Sequence, residues 1–328
     1  MTRILVVGAG LIGHRHVKTV TDHPHCTLAG VVDPNPPPMD TDAPVFADLD
    51  VLDVPVDGVI IATPTQLHLA HTKFAAEKGW PVIIEKPVAA TLAQADELVD
   101  IAKDIPTLMG HHRRHHASVQ KLKTLIDGGA IGTPIAANVM WAMKKPDDYF
   151  DVAWRQTGAD PIQMNLVHDL DLMQFVLGPV ARAHVMAGSP VRGAIRPESG
   201  VVSLEFESGL FASITFADTT PTPWGFEAGT GENPTIGTTG QDMMFFMGTK
   251  GGVSFPSLQL WGGSDTWADP VSAVDESVGK TDALNAQLDH FLDMIHGRAT
   301  SRNTAEEGRD LLYLLADIQR QLGMDVME

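Results

Sequence analysis

The sequence predicts an α/β chain in two parts: a doubly wound parallel sheet, then a second domain built on an antiparallel or mixed sheet. Three observations predict it. Short apolar runs alternate with helical stretches over the first part of the chain, a pattern that implies parallel strands with helices on both faces. From Pro134 onward, strand-like segments mostly follow one another across glycine or proline turns, the habit of an antiparallel or mixed sheet. With 328 residues, 44% of them hydrophobic, there is ample material for two cores.

Charge and cysteine content exclude several classes. Asp and Glu total 41 against 23 Lys and Arg, a formal charge of −18, which argues against nucleic acid and anionic membrane surfaces as partners. Cys26 is the sole cysteine, so no internal disulfide forms, which fits a reducing compartment. Met1-Thr2-Arg3 followed by Ile4 to Val7 is too short and glycine-broken for a signal peptide, and no apolar run approaches the ~18 residues of a membrane span. The expectation is a soluble, cytoplasmic protein.

Ile4 to Val7 predict a buried strand that runs into Gly8-Ala9-Gly10-Leu11-Ile12-Gly13, with a helix through about Asp22. Thr27 to Val32 form the next strand, ending in Asp33, about 20 residues past Gly13. Glycines alone are a weak signal, but this arrangement is the full dinucleotide fingerprint. Gly8 permits the tight turn, Gly10 lets the backbone approach a pyrophosphate, and Gly13 lets helix and strand lie close. The helix N-terminus offers unpaired N–H groups to phosphates. Asp33 would accept from the adenosine ribose and repel a 2′-phosphate. No Lys or Arg follows it in Pro34-Asn35-Pro36-Pro37-Pro38, so NAD is favoured over NADP.

The alternation continues. Val59 to Ala62 is a strand ending in Thr63-Pro64-Thr65, and a helix spans about Gln66 to Lys78. Val82-Ile83-Ile84 is a short buried strand that turns abruptly into Glu85-Lys86-Pro87. Ligands bind at the C-terminal ends of strands in open α/β sheets, and a partly desolvated lysine there can do acid–base work. The bland alternative is a turn with a local salt bridge. Thr91-x-x-Gln94 is a capping box for the next helix, and Thr107 to Met109 is the last strand of a first domain, residues 1–118.

His111-His112-Arg113-Arg114-His115-His116 closes that sheet at the same edge. Histidines at i and i+4 suggest a metal, but two arginines between them would repel a cation and no clear carboxylate or cysteine partner lies near, so no metal is expected. A cationic wall near the cofactor or an anionic substrate group fits better, which makes Arg114 a candidate cofactor contact. A plain solvated loop is the alternative.

The second domain, residues 119–328, opens on a helix from Ser118 to about Asp127 that ends in Gly128-Gly129. Strands are expected over Pro134–Met143, Val180–Ala187, Val201–Glu207, Leu210–Phe216, Met243–Met247 and Val253–Leu260. Asp218 to Gln241 reads as a long loop over the active site. Helices finish the chain at about Asp282–His296 and Ala305–Leu322, the second opened by the capping box Thr304-x-x-Glu307, and both are open to packing back on the first domain. One face of the sheet must be covered by helices or by a second subunit.

One helix here carries chemistry. Asp160-Pro161 is a clean helix start, and the residues that follow, through Leu177, are apolar nearly all round. Yet Asn165, His168, Asp169 and Asp171 sit near the middle. At helical spacing Asn165 and Asp171 flank His168, where a carboxylate can orient the imidazole of a general base. The alternative is a hydrogen-bonded core histidine.

With these residues in view, the chain resembles the Gfo/Idh/MocA family of NAD(P)-dependent oxidoreductases. The resemblance spans the chain and rests on Gly8-x-Gly10-x-x-Gly13, Thr63-Pro64-Thr65-x-x-His68, Glu85-Lys86-Pro87, Gly128-x-x-Ile131-Gly132 and His168-Asp169-x-Asp171. It implies an N-terminal Rossmann domain and a C-terminal α/β domain whose large, mostly antiparallel sheet forms the interface of a homodimer or homotetramer. It implies oxidation of a sugar, polyol or sugar-acid hydroxyl, with Lys86 beside the nicotinamide and substrate oxygen and His168 taking the hydroxyl proton. It also implies a cis Lys86–Pro87 bond, and cofactor or pocket contacts at Thr63, Pro64, His68, Glu85, Trp154 and Arg155. Many members carry an aspartate four residues before the catalytic histidine, where this chain has Met164. A Lys86–His168 pair assisted by Asn165 is therefore expected instead of a triad. Tyr149, Lys144, Lys145, Arg155 and the Asp218–Gln241 loop are candidates to shape the substrate pocket. Two other outcomes are compatible with the family: a glycosidase that retains NAD, and a non-enzymatic NAD or sugar sensor, against which the presence of both Lys86 and His168 counts.

Overall fold

The computed structural model describes residues 1–151, 155, 161–193 and 196–324. The chain divides into two compact units, one holding Met1–His115 with Asp282–Tyr313, the other holding His116–Thr281 and resuming at Leu314.

The first unit contains β1 (Thr2–Val7), α1 (Leu11–Asp22), β2 (Cys26–Val32), β3 (Val45–Phe46), β4 (Gly58–Ile61), α2 (His68–Glu77), β5 (Val82–Ile84), α3 (Leu92–Ile101) and β6 (Thr107–Met109). The strands form one sheet in the order β3-β2-β1-β4-β5-β6, every pair parallel, which is the Rossmann order. Its central strands read as unbroken apolar runs because both faces are covered. Ile4, Val6, Val31, Ile60 and Ile83 pack with Val17 and Val20 of α1 and with Leu288, Phe291 and Leu292 from near the C-terminus. Leu5, Val7, Val59, Ile61 and Ile84 face the other way, onto Ala95 and Leu98 of α3. Thr91 caps α3 as its spacing predicts, its Oγ1 accepting from the Gln94 N–H. The edge strand β3 was not expected. It is two residues long within a proline- and aspartate-rich stretch, and it exists through main-chain pairing: Val31 N–H donates to Pro44 O and Asp33 N–H to Phe46 O.

The second unit contains α4 (Ala117–Asp127), β7 (Pro134–Ala142), α5 (Val167–Leu177), β8 (Val180–Ala187), β9 (Ser199–Phe206), β10 (Phe211–Ala217), α6 (Phe226–Thr230), β11 (Met244–Gly248), β12 (Gly251–Phe255), β13 (Gln259–Gly262) and β14 (Ser272–Asp275). Its eight strands lie in the order β14-β13-β12-β11-β7-β10-β9-β8, with only β7 and β10 parallel. Of the last two helices, α7 (Ala283–Ile295) belongs to the first unit and the boundary between units falls within α8 (Ala305–Gln321). Among the described residues no helix is long and apolar enough to cross a membrane.

Three expectations for this unit need correction. Val253–Leu260 is two strands, β12 and β13, because the chain reverses through Pro256 and a left-handed Leu258 (φ 55°) while Asp242 holds the Ser257 N–H and hydroxyl. β14 adds an unexpected edge strand beside β13. The Asp218–Gln241 stretch is anchored in part: α6 within it buries Phe226 against the Phe255 ring at 5.6 Å, and Trp141 Nε1 donates to Glu227 at 3.4 Å.

One face of this sheet alternates inward-apolar with outward residues that are themselves apolar in part. Phe211, Ala136, Met247, Gly252 and Trp261 pair in one row across five strands, and Phe211, Met247 and Trp261 are exposed. A row of large exposed apolar side chains on a sheet is a feature of association surfaces.

Candidate active site

The parallel register collects the predicted residues of the first unit at one sheet edge. Val7, Val32, Ile61 and Ile84 end their strands side by side. The residues that follow, Gly8, Asp33, Ala62-Thr63 and Glu85-Lys86, therefore emerge together, tied by Gly8 N–H to Val32 O, Ala62 N–H to Val7 O and Glu85 N–H to Ile61 O.

The glycine-rich loop is built as its spacing requires. Gly8 has φ +95°, and a Cβ on it would lie 2.6 Å from Ala62 O. A Cβ on Gly13 would lie 2.0 Å from Gly8 O. Gly10 differs: among the described residues, nothing lies within 4 Å of where its Cβ would be. Its absence of a side chain serves open space in front of the loop, not packing behind it. Gly10 is also the N-cap of α1, with no side-chain cap and no acidic residue in the first turn, so the leading amides face outward with their dipole unopposed. Leu11 follows, 85% exposed, beside a half-buried Ile12. Asp33 Oδ2 accepts the Ala9 N–H at 2.7 Å and Oδ1 the Asn35 N–H at 2.8 Å, leaving a half-exposed carboxylate beside the loop. These features fit a dinucleotide: amides for the phosphates, an acid for a ribose, and open space at Gly10 for close approach.

At the end of β5 the Lys86–Pro87 peptide is cis, as the resemblance implies. Lys86 is half-buried, and its N–H donates to Glu85 Oε2 at 3.2 Å. Glu85 itself is turned inward. Its Oε1 lies 2.8 Å from His16 Nε2, both side chains nearly fully buried. Burial raises the Glu85 pKa, but the His16 hydrogen bond, with the charges of His16, His112 and Lys86, outweighs it and holds the carboxyl down to about 2. His68 is buried behind Thr63, with Nε2 3.0 Å from Thr63 O and Nδ1 3.0 Å from Pro87 O. It braces the β4 and β5 loops against each other, and burial pushes its pKa down. Thr63 is half-buried and Pro64 exposed, with Thr63 Oγ1 3.1 Å from His71 Nδ1. His16 was not singled out from sequence. The available signal was a histidine on the apolar stripe of α1, between Gly13 and Val17.

The His111–His116 run corrects one expectation. All six side chains are buried, so it is no solvated loop. Arg114 is 1% exposed, with Nη1 donating to Glu307 and to Arg302 O. Arg114 is thus held inside the protein by Glu307 and the Arg302 carbonyl. His116 caps α4 by accepting the Ser118 N–H, and its ring meets Phe226 edge-on. Among the described residues, no group of three His, Cys, Asp or Glu is placed to hold a metal ion.

In the second unit His168, Asp169 and Asp171 lie on α5, all buried, His168 least so. Asp160, expected to cap this helix, and Trp154 lie outside the described residues. The backbone of Ile162–Leu166 is a π-helical turn, not α. The α-helical spacing that set Asn165 and Asp171 symmetrically about His168 therefore holds for Asp171 alone. Single π turns recur at functional sites, because they re-aim side chains that a regular helix would fix elsewhere. Asn165 carries a buried Oδ1 that makes no hydrogen bond among the described residues. Of the proposed pocket residues, Lys145 is buried and Lys144 exposed, while Arg155 donates to Tyr149 O and lies 4.3 Å over the Tyr149 ring. Lys145, Arg192 and Arg196 converge on fully buried Asp218, in an ionic knot that the sequence did not reveal.

Comparison with known proteins matches this geometry. The family model described as "Oxidoreductase family, NAD-binding Rossmann fold" covers residues 2–109, and the GFO/IDH/MocA C-terminal domain covers residues 119–254. A 1,5-anhydro-D-fructose reductase of Ensifer adhaerens is 35% identical over 194 residues, 56% of this chain and 58% of that protein. Inositol 2-dehydrogenase 1 of Saccharopolyspora erythraea is 29% identical over 190 residues, 53% of this chain and 54% of its own. The matches thus span less than two thirds of these relatives. In fold, an oxidoreductase from Agrobacterium radiobacter in complex with NAD+, L-tartaric acid and magnesium superposes with a TM-score of 0.81 at 18% identity, covering 98% of this chain and 96% of the other. The WlbA dehydrogenase from Bordetella pertussis, in complex with NADH and UDP-GlcNAcA, does so at 0.75 and 21% identity over 98% and 96%. The parallel nucleotide-binding unit, the mixed eight-stranded unit and both family matches lead to one conclusion: this chain belongs to the Gfo/Idh/MocA oxidoreductases.

Proposed function

We propose that the protein is an NAD-dependent dehydrogenase acting on a hydroxyl of a sugar, polyol or sugar acid. The observation that carries this reading is the edge of the parallel sheet, where an open glycine loop, a carboxylate and a half-buried lysine emerge together. The first 118 residues hold the cofactor, and the remainder supplies the substrate contacts and the assembly surface. The α1 amides receive the pyrophosphate, Asp33 the adenosine ribose, and Leu11, Ile12, Thr63 and Pro64 border the site. Asp33 without a neighbouring cation favours NAD over NADP. Bound there, the nicotinamide supplies the hydride acceptor.

The chain's own residues handle the proton and the charge. His168 takes the hydroxyl proton as general base, and the Lys86 ammonium stabilises the developing alkoxide. Asn165 assists the pair, its buried Oδ1 accepting from a substrate hydroxyl. Relatives named for an anhydrosugar and for inositol support this substrate class. The exposed row Phe211, Met247 and Trp261 supports a homodimer or homotetramer formed through the sheet.

The test is a screen for NADH formation across sugars, inositols and aldonic acids, followed by Lys86→Ala and His168→Ala with the best substrate. Each substitution should lower kcat by about 10²–10⁴. If both leave turnover intact, the assignment fails. Release of free NADH during turnover separates a dehydrogenase from a hydrolase that retains its cofactor.

A further inference from the structure

A buried carboxylate needs partners, and Glu85 has a specific set. Its Oε1 takes the hydrogen bond from His16, on α1, the helix whose N-terminus faces the open loop. Its Oε2 takes the main-chain N–H of Lys86. Its own N–H is bonded to Ile61 O, and the next strand is pinned by Gly110 N–H to Ile84 O. A Cβ on Gly110 would lie 2.8 Å from Glu85 Cα and 2.9 Å from its Cδ, so this glycine is what lets β6 close on the carboxylate. Glu85 is thus held from three sides and in turn holds the lysine backbone.

We propose that His16 is a positioning residue for Lys86: through Glu85 it ties the helix of the glycine-rich loop to the lysine main chain. The proposal rests on the role given to Lys86 above. It explains a feature that cofactor contact does not, namely why a Glu next to the reactive lysine faces inward. Both Glu85 oxygens are engaged inside the protein, one by each element that must keep its register. Such supporting partners matter because small displacements at a reacting centre cost large rate factors.

The tests are His16→Leu, His16→Gln and the double variant His16→Leu with Glu85→Gln. Leu removes the donor at similar bulk, Gln keeps an N–H, and the double variant removes the unpaired buried charge while leaving an oxygen for the Lys86 N–H. For His16→Leu we expect kcat to fall by about 10²-fold, with NADH binding by fluorescence much less affected. Amide hydrogen exchange of the ligand-free protein should rise over Ile83–Lys86 and stay unchanged in β2. His16→Gln should restore most of both. The double variant should regain thermal stability without regaining kcat. Recovery of kcat together with stability would show that His16 only neutralises a buried charge, and would overturn the proposal. So would wild-type kcat and exchange in His16→Leu. Lys86→Ala, assayed alongside, keeps the two failures apart: if it retains turnover, the role of Lys86 fails; if it loses turnover while His16→Leu keeps it, only the positioning role fails.

Discussion

Asp33 Oδ2 accepts the Ala9 N–H at 2.7 Å, so the acid that ends β2 is bonded to the glycine-rich loop that ends β1. The same carboxylate shapes the loop and is the group proposed to meet the ribose. Asp33→Ala should weaken NAD binding by about 10–100-fold, the scale of a hydrogen bond to a charged group. NADP should lose much less, since its 2′-phosphate no longer meets a negative charge. Dissociation constants of both nucleotides, measured by fluorescence titration, check this.

Gly10 and Gly13 should separate by their response to alanine. At Gly13 the new methyl meets Gly8 O at 2.0 Å, so the backbone must move, which costs about 1–3 kcal/mol or more. The melting temperature of Gly13→Ala should fall by several degrees. At Gly10 the methyl enters open space, so Gly10→Ala should melt near wild type yet bind NAD at least about tenfold more weakly. Calorimetry and nucleotide titration on the two variants provide the comparison.

Two buried groups, His115 and Glu85, contribute to the response to acid. Burial, then the nearby charges of Arg302 and His290, holds His115 neutral with a pKa of about 2, and its Nδ1 accepts from Arg302. Unfolded, it would protonate near 6.5, so its contribution to stability is lost as pH falls below that value. Glu85, at about 2 in the folded protein and 4.5 by itself, contributes roughly 3 kcal/mol that is lost between pH 4.5 and 2. Urea melts from pH 7 to 3 should therefore lose stability in two stages. His115→Gln should lessen the loss in both stages, and Glu85→Gln should lessen only the steeper stage below pH 4.5.

The exposed sheet face should control assembly. Phe211→Asp or Trp261→Glu places a charge where two copies would meet, while neither side chain is part of the core. Light scattering should show a smaller species with secondary structure retained. An unchanged mass for both variants would rule this face out as the interface.

The sequence was most legible where one local cause decides the outcome. Continuous apolar runs marked β1, β4 and β5 because strands buried on both faces have no polar side. Glycine spacing marked the loop because Gly8 and Gly13 sit where no side chain fits. It was least legible where pairing comes from elsewhere in the chain. β3 and β14 carry no pattern of their own and exist because a neighbouring strand offers hydrogen bonds. The π turn at Ile162–Leu166 is equally silent, since its residues are ordinary helix formers and α-helical spacing misplaced Asn165.

By itself, then, the sequence determined the class of chemistry: a nucleotide loop, an acid and a lysine at strand ends, because these depend on residue type and short spacing. Only the tertiary structure decided which charged groups face the site and which hold it together. Glu85 and Arg114 look alike in sequence, as charges beside a candidate site, but they were turned inward by His16 on α1 and by Glu307 on α8. The reason is that a buried charge takes its orientation from its partner, and these partners lie 69 and 193 residues away along the chain.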